Sequence, residues 1–206
     1  MVIAIDGPAG AGKSTVARAV AERLGFTYLD TGAMYRAVAL AARRSGREPG
    51  EVAEAVTIEV GERVVLDGED VTAEIRTPEV SAGASRVAAD PRVRAALVRK
   101  QQAIVQVGDW VAEGRDIGSV VAPEAAVKVF LTASPEERAR RRAAQIGGDP
   151  AQLLQEQHER DRRDSSADRT VLAAAHDAIP VDTTGLTLDE VLDQIETLAV
   201  EAQELR

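Results

Sequence analysis

Strand-like and helix-like hydrophobic patterns alternate along most of the chain. A β-branched run at residues 2–5 leads into a glycine-rich loop, and residues 14–24 then place apolar side chains at helical spacing. A strand pattern at 26–29 and a helix pattern at 33–44 repeat this order, and further strands are predicted at 109–113, 127–131 and 178–182. The alternation predicts an α/β fold with a central, mostly parallel sheet that helices cover on both faces.

Two segments depart from this alternation. Short strand patterns at 56–60 and 63–66, followed by two helical stretches, predict a small insert that contains β-structure. After residue 134, a helix, a glycine-rich tip and a second helix predict a helical hairpin. We therefore expect a single domain made of a core at 1–45, 107–133 and 171–206, an insert at 46–106 and a lid at 134–170.

The last elements carry two local signals. Pro180 has no amide hydrogen for a strand ladder, so the strand at 178–182 is expected at an edge of the sheet or at a strand end. Thr187 and Glu190 have the spacing of a capping box. They precede an apolar stripe formed by Leu188, Val191, Leu192, Ile195, Leu198 and Ala199, which predicts a closing amphipathic helix.

Composition narrows the class of protein. The 206 residues are 45% hydrophobic and 29% charged, which is ordinary for a globular chain, and no apolar run approaches the roughly 18 residues of a membrane span. The chain contains no cysteine and begins without a secretory signal, so we expect a cytoplasmic protein that does not bind membranes. The net charge of −9 disfavours nonspecific binding of nucleic acid.

The loop after the first strand has the P-loop pattern, from Gly7 to the Gly12-Lys13-Ser14 triplet, between a strand and a helix. Glycines in such a loop allow backbone amides to surround phosphates, and the helix N-terminus adds positive potential. Lys13 is positioned to reach the β- and γ-phosphates as a catalytic residue, and the Ser14 hydroxyl to bind Mg²⁺. The predicted ATP-binding residues are Gly7, Pro8, Ala9, Gly10, Ala11, Gly12, Lys13, Ser14 and Thr15.

A P-loop alone leaves kinases, GTPases and motor ATPases open. The chain lacks the Asn-Lys-x-Asp motif by which GTPases bind guanine, and the strand end at 130–132 lacks the acidic residue of a conventional Walker B motif. It is also short for a motor. A small P-loop kinase needs a core, an acceptor-binding insert and a lid that closes, and the predicted organisation supplies all three.

Two polar segments are candidates for binding the phosphoryl acceptor at the carboxyl edge of the sheet. After the second strand, Thr31 offers a hydroxyl and Arg36 follows about one helical turn later. Thr31 is equally interpretable as a helix N-cap, and Arg36 as a solvated surface charge. Arg115 and Asp116 lie between glycines after another strand, and a structural ion pair is the alternative there.

The predicted lid is rich in arginine. Eight arginines between residues 138 and 169 stand against six acidic residues, which reverses the overall charge locally. Arg138, Arg141 and Arg142 share one helix face and are candidates for a clamp on a triphosphate, whereas a salt-bridged surface helix is the alternative. His158 and His176 lack partners at ligand spacing, so no zinc site is expected.

These motifs together resemble those of the bacterial cytidylate kinases, a branch of the P-loop nucleoside monophosphate kinases. The resemblance spans nearly the whole chain, through residues 5–14, 29–36, 68–76, 91–94, 113–118 and 160–165. It implies transfer of the γ-phosphoryl group of ATP to CMP or dCMP with Mg²⁺, by a monomer. It also implies that Thr31, Arg36 and Arg115 bind the acceptor phosphate, that Ser85, Arg94 and Asp116 face cytosine, that Asp164 meets the sugar, and that Arg141 and Arg160 act from the lid.

Two other functions remain open on the residues alone. A kinase for a hydroxyl-bearing metabolite of the shikimate or gluconate type gains from a carboxylate base, for which Asp30 and Asp116 are candidates. A nucleotide-binding regulator that signals by ordering a loop is the second.

The lid departs from the pattern of the resembling family. Related kinases usually have an arginine where this chain has Ala167, and a Pro-Leu pair where it has Val171-Leu172. Arg169 lies two residues beyond Ala167, and we hypothesise that its long side chain supplies the missing guanidinium to CMP. The alternative is a lid that works with one arginine fewer.

Overall fold

The computed structural model describes residues 1–164 and 174–204 of the chain. The strands are Val2–Asp6 (β1), Thr27–Asp30 (β2), Ile58–Val60 (β3), Val64–Leu66 (β4), Glu69–Asp70 (β5), Trp110–Gly114 (β6), Val127–Thr132 (β7) and Ile179–Asp182 (β8). The α-helices are Lys13–Leu24 (α1), Thr31–Ser45 (α2), Pro49–Ala55 (α3), Pro78–Val87 (α4), Pro91–Val105 (α5), Pro135–Ile146 (α6), Pro150–Asp164 (α7) and Leu188–Glu204 (α8). A 3₁₀ turn at Glu74–Arg76 and a π-helical turn at Ile117–Val121 complete the described elements.

The larger sheet has the strand order β2-β6-β1-β7-β8. β1 is central and pairs in parallel with both β6 and β7, and β7 pairs in parallel with β8. The prediction of a mostly parallel sheet flanked by helices is therefore confirmed. Pro180 lies on β8, the edge strand of the sheet, opposite Phe130 of β7. An edge position is expected because proline has no amide hydrogen for a strand ladder.

The chain divides into two compact units, one formed by Met1–Tyr28 and Asp109–Arg206, the other by Leu29–Gly108. In the first unit, apolar residues of β1, β7, α1 and α8 form the core, with Ile3, Ile5 and Ile195 fully buried. The capping box is present, because Glu190 accepts a hydrogen bond from the Thr187 amide at 2.8 Å. The predicted stripe on α8 is buried at Val191, Leu192, Ile195 and Ala199, whereas Leu198 is half-buried and Leu188, at the start of the helix, is 41% exposed.

The second unit contains α2 to α5 and an antiparallel sheet of order β3-β4-β5. In this unit α2 packs against α4, and α3 packs against α5. The sequence analysis predicted no helix between residues 47 and 55, where the structure has α3. Pro49 is in the first turn of this helix, where proline is favoured. A Cβ atom on Gly50 would lie 2.9 Å from the Cβ of Arg92 on α5. Gly50 therefore permits close packing of α3 on α5.

Helix α2, which the sequence analysis assigned to the core, groups with the second unit. The predicted division into core, insert and lid stays a prediction. Helices α6 and α7 pack together as the expected hairpin, and α6 begins after Ser134, whose hydroxyl accepts a hydrogen bond from the Glu137 amide at 3.2 Å. In the described residues no helix is long and apolar enough to cross a membrane.

Candidate active site

The P-loop connects β1 to α1, as the sequence predicts. Gly7 has φ 149°, and a Cβ atom there would lie 2.1 Å from the carbonyl oxygen of Leu131, so only glycine fits. Gly12 precedes α1 and has no side chain to occupy the first-turn amides, which suits a loop that binds anions. The ammonium of Lys13 donates a hydrogen bond to the Pro8 carbonyl at 2.8 Å. This contact places the charge of Lys13 over its own loop.

A buried carboxylate lies beside the predicted Mg²⁺ ligand. The Ser14 hydroxyl donates a hydrogen bond to Oε2 of Glu113 at 2.9 Å, and the Tyr28 hydroxyl donates to Oε1. Glu113 is 4% exposed, and the guanidinium of Arg18 lies 4.5 Å from the centre of the Tyr28 ring. A serine hydroxyl and a carboxylate are oxygen donors of the kind Mg²⁺ prefers in phosphoryl-transfer sites. These residues therefore fit a Mg²⁺ ion that is also bound by nucleotide phosphates.

Sequence reasoning missed Glu113 in this position. The acidic residue of a Walker B motif was expected at the end of 130–132, on β7. The structure instead has an acidic residue beside Ser14 on β6, the other neighbour of β1. The available signal was an acidic residue at the end of a predicted buried strand. Among the residues that the structure describes, no group of three or more His, Cys, Asp or Glu side chains is arranged to hold a metal.

The segment after β6 is bonded to the beginning of the P-loop. Arg115 donates a hydrogen bond to the Gly7 carbonyl at 2.5 Å. Asp6 accepts hydrogen bonds from the backbone amides of Ile117 and Gly118, each at 2.8 Å. Asp6 is 4% exposed, and burial raises its pKa from 3.8 to about 6; the two amides and Lys13 oppose this rise, whereas the charge of Asp116 adds to it. The predicted residues Arg115 and Asp116 thus belong to a segment that is fixed to the P-loop.

Two of the three clamp candidates on α6 have protein partners. Arg138 is 5% exposed and donates to Asp161 of α7 at 2.7 Å and to the Ala9 carbonyl at 3.0 Å. Arg141 donates to the hydroxyl and the carbonyl of Thr183, both at 2.8 Å, and to Glu137. Protein groups therefore hold Arg138 and Arg141 in this structure, and the clamp on a triphosphate stays a prediction.

Other arginines on α6 support the alternative of a salt-bridged helix. Arg142 is exposed, and Arg140 pairs with Glu137 at 2.7 Å. Arg140, and then Arg141, lower the pKa of Glu137 to about 2. Arg141 nevertheless lies beside the P-loop, because a Cβ atom on Gly12 would be 3.5 Å from its Nη1 atom.

In the second unit, the candidates Thr31 and Arg36 begin α2. The N-cap is Asp30, which accepts a hydrogen bond from the Ala33 amide at 2.8 Å, so the interpretation of Thr31 as the cap is wrong. Arg36 donates to the other oxygen of Asp30 at 2.8 Å and is not a fully solvated charge. Within the described residues, the Nε atom of Arg36 is buried and has no hydrogen-bond partner.

The remaining candidates are spread over three helices and the end of the lid. Ser85 lies half-buried on α4 of the second unit, and Arg94 lies half-buried in the first turn of α5. Arg160 and Asp164 occupy positions on α7. Arg169, with Ala167 and Val171-Leu172, lies outside the described residues, so the hypothesis about the missing lid arginine stays a hypothesis.

Similarity to known proteins covers nearly the whole chain. The family described as cytidylate kinase matches residues 3–201. A cytidylate kinase of Solibacter usitatus is 52% identical over 95% of this chain and 90% of its own length, and one of Symbiobacterium thermophilum is 49% identical over 95% and 94%. A bifunctional pantoate ligase/cytidylate kinase of Synechococcus is 48% identical over 96% of this chain and 42% of its own length.

Among solved structures, a gluconokinase from Sinorhizobium meliloti has the same fold, with a TM-score of 0.54 and 19% identity over 99% of this chain and 94% of that one. At this identity the likeness concerns the fold alone. The sequence matches and the P-loop geometry agree, and the chain belongs to the cytidylate kinase family.

Proposed function

We propose that this protein transfers the γ-phosphoryl group of ATP to CMP or dCMP, giving ADP and CDP or dCDP. The observation that carries the proposal is the near-complete match, at about half identity, to proteins named cytidylate kinase. The P-loop between β1 and α1 supports ATP as the donor, because its glycines, Lys13 and Ser14 have the types and local geometry that bind phosphates.

The donor side is built from the first unit. Residues 7–15 surround the ATP phosphates, Lys13 neutralises charge on the β- and γ-phosphates, and Ser14 with Glu113 holds the Mg²⁺ ion. When bound, Mg²⁺ neutralises the phosphate charge that grows during transfer. Arg141 beside Gly12, and Arg160 on α7, add positive charge from the lid.

The acceptor side follows the motifs of the family. Arg115 is the assigned phosphate ligand of the first unit, and Thr31 with Arg36 are those of the second. The buried Nε of Arg36 supports this role, because a guanidinium donor without a protein partner suits an anion. The resemblance assigns the cytosine contacts to Ser85, Arg94 and Asp116. From the lid it assigns Asp164 to the sugar, and Arg169 is the hypothesised contact to the phosphate or sugar of CMP.

The chemistry needs no general base. A phosphate monoester has a second pKa near 6, so the attacking oxygen of CMP is largely ionised at pH 7. Positioning and neutralisation of charge then account for catalysis.

The structure disfavours Asp30 as the base of a metabolite kinase. Its two oxygens accept from the Ala33 amide and from Arg36, which gives the carboxylate a structural task as N-cap and ion-pair partner. A hydroxyl acceptor would require a carboxylate placed to take its proton.

Coupled ADP-release kinetics test the proposal. The purified protein is supplied with ATP and Mg²⁺ and, in separate reactions, with CMP, dCMP, UMP, AMP, shikimate, gluconate or no acceptor. We expect rapid turnover with CMP or dCMP, and slow or no turnover with the others. Turnover mainly with shikimate or gluconate would establish a metabolite kinase, and slow ATP hydrolysis that no acceptor accelerates would favour a regulator. The cytoplasmic location and the monomeric state expected from the sequence stay predictions.

A further inference from the structure

Asp6 is a buried carboxylate to which the reaction assigns no role. It is the last residue of β1, directly before Gly7 of the P-loop, and its two oxygens each accept one backbone amide, from Ile117 and Gly118. Those amides begin the π-helical turn that directly follows Asp116. π-Helical turns are rare and frequently mark functional sites. Asp6 thus caps this turn from a strand that is 111 residues away in sequence.

The same segment is attached at a second point, on the other side of Asp116. Arg115 donates a hydrogen bond to the Gly7 carbonyl at 2.5 Å, one residue after Asp6. Asp116, which is 8% exposed, therefore lies between Arg115, which is hydrogen-bonded to Gly7, and Ile117, which is hydrogen-bonded to Asp6. Its backbone is held at φ −145° and ψ 28°, outside the regular helical and extended regions.

Close packing restricts this segment further. A Cβ atom on Gly118 would lie 3.2 Å from Cδ of Lys128 and 3.5 Å from Oδ2 of Asp6. The small residue lets the segment approach β1 and β7 closely enough for both amides to reach the carboxylate. A shift of the segment would lengthen these hydrogen bonds and move Asp116 with it.

We propose that Asp6 is a positioning residue that sets the preference for cytosine over uracil by holding the Asp116 segment against the P-loop. The proposal rests on the proposed function, in which Asp116 accepts a hydrogen bond from the exocyclic amine of cytosine. Angular precision matters there, because a carboxylate discriminates between the bases only if it meets the amine of cytosine and opposes the carbonyl of uracil.

An ionised carboxylate is the group suited to this position. Its two oxygens accept from both amides, whereas an asparagine side chain offers one oxygen and would direct its own NH₂ group at the second amide. Burial raises the pKa of Asp6 to about 6, so the charged form is maintained at neutral pH against an unfavourable environment. A neutral apolar residue would be the more stable choice if filling space were the only requirement.

The test compares Asp6→Asn with the parent in steady-state kinetics at pH 7.5, with CMP and UMP at saturating ATP and with ATP at saturating CMP. We expect the ratio of kcat/KM for CMP to that for UMP to fall about fivefold, the factor that one hydrogen bond of typical net strength corresponds to. We expect the KM for ATP to change less than twofold. An unchanged CMP to UMP ratio in a folded variant would overturn the proposal.

Two further variants separate the possible failures. Asp116→Asn must itself reduce the CMP to UMP ratio; if it does not, the assignment of Asp116 within the proposed function is wrong, and the Asp6 proposal falls with it. If Asp116→Asn reduces the ratio and Asp6→Asn does not, only the Asp6 proposal is wrong. Ile195→Val, a core change on α8, serves as a stability-matched control and should leave the ratio unchanged.

Gly118→Ala keeps the test decisive if Asp6→Asn fails to fold. The added methyl group presses on the Lys128 side chain and lies at ordinary contact distance from Oδ2 of Asp6, so the carboxylate itself is kept. If Asp6 had only a structural role, this variant would lower the melting temperature without changing the CMP to UMP ratio. We expect the CMP to UMP ratio to fall at least twofold with Gly118→Ala. An unchanged ratio there would overturn the proposal as well.

Discussion

The buried carboxylate of Asp6 makes a definite prediction about stability and pH. Its pKa is about 6 in the folded protein against an ordinary value of 3.8, and burial is the main cause. As the pH rises from 3.8 to 6, the unfolded chain loses this proton first, so the folded state binds more protons and its stability falls. Below pH 3.8 the group has no such effect, and above pH 6 the loss is complete.

The magnitude follows from the difference of about two pKa units. At about 1.4 kcal/mol per unit, ionisation of Asp6 lowers the free energy of unfolding by about 3 kcal/mol once the pH exceeds 6. Asparagine does not titrate, so Asp6→Asn is free of this dependence. The difference in unfolding free energy, parent minus variant, should therefore decrease by about 1.4 kcal/mol between pH 5 and pH 8.

Urea denaturation followed by the fluorescence of Trp110, the single tryptophan, measures both proteins across this range. Far-UV circular dichroism should give coincident transitions. The hydrogen bond lost in Asp6→Asn changes the unfolding free energy of the variant by the same amount at every pH. The pH dependence of the difference between parent and variant therefore reports only the ionisation of Asp6. A difference that stays constant from pH 5 to pH 8, or that increases, would refute the argument that burial dominates.

Three further predictions concern the donor site and the lid. Lys13→Ala should lower kcat for CMP at least about 100-fold with little change in melting temperature, because the ammonium supplies charge to the transition state; turnover within a few fold of the parent would contradict this. Tyr28→Phe keeps the ring and loses the hydrogen bond to Glu113. The Mg²⁺ concentration that gives half-maximal activity should then rise about fivefold, as should the Mg²⁺ concentration that gives half-maximal ATP binding in calorimetry. Unchanged values would contradict the role of Glu113. Arg169→Ala should raise the KM for CMP about five- to tenfold if Arg169 replaces the arginine absent at Ala167. Unaltered kinetics of Arg169→Ala, together with tighter CMP binding by Ala167→Arg, would show that the arginine at position 167 was lost without replacement.

Features governed by neighbours along the chain were predictable from the sequence. The P-loop, the edge position of the strand that contains Pro180, and the capping box of Thr187 and Glu190 each depend on a few consecutive residues. Backbone dihedral preferences, the missing amide of proline and side-chain spacing act over that range, so pattern and structure agree.

Local signals also misled where two neighbouring residues compete for one task. Asp30 and Thr31 are both good N-caps, and the structure selects Asp30, whose second oxygen also accepts from Arg36. No helix was predicted at 49–55, yet α3 forms there, and Gly50 allows that helix to pack closely on Arg92 of α5. Hydrogen bonds decided the first case and packing on α5 the second, and the hydrophobic pattern of the sequence shows neither.

The pairings that complete the candidate site depended on the tertiary structure alone. Ser14 meets Glu113 across 99 residues, and Asp6 meets Ile117 across 111. The order of strands in a parallel sheet is set by crossover connections and by burial of both faces, so residues that are distant in sequence become neighbours without any mark in either segment. The sequence by itself therefore determined which chemistry the P-loop supports, whereas the order β6-β1-β7 decided which carboxylate stands beside Ser14 and which one holds the segment of Asp116.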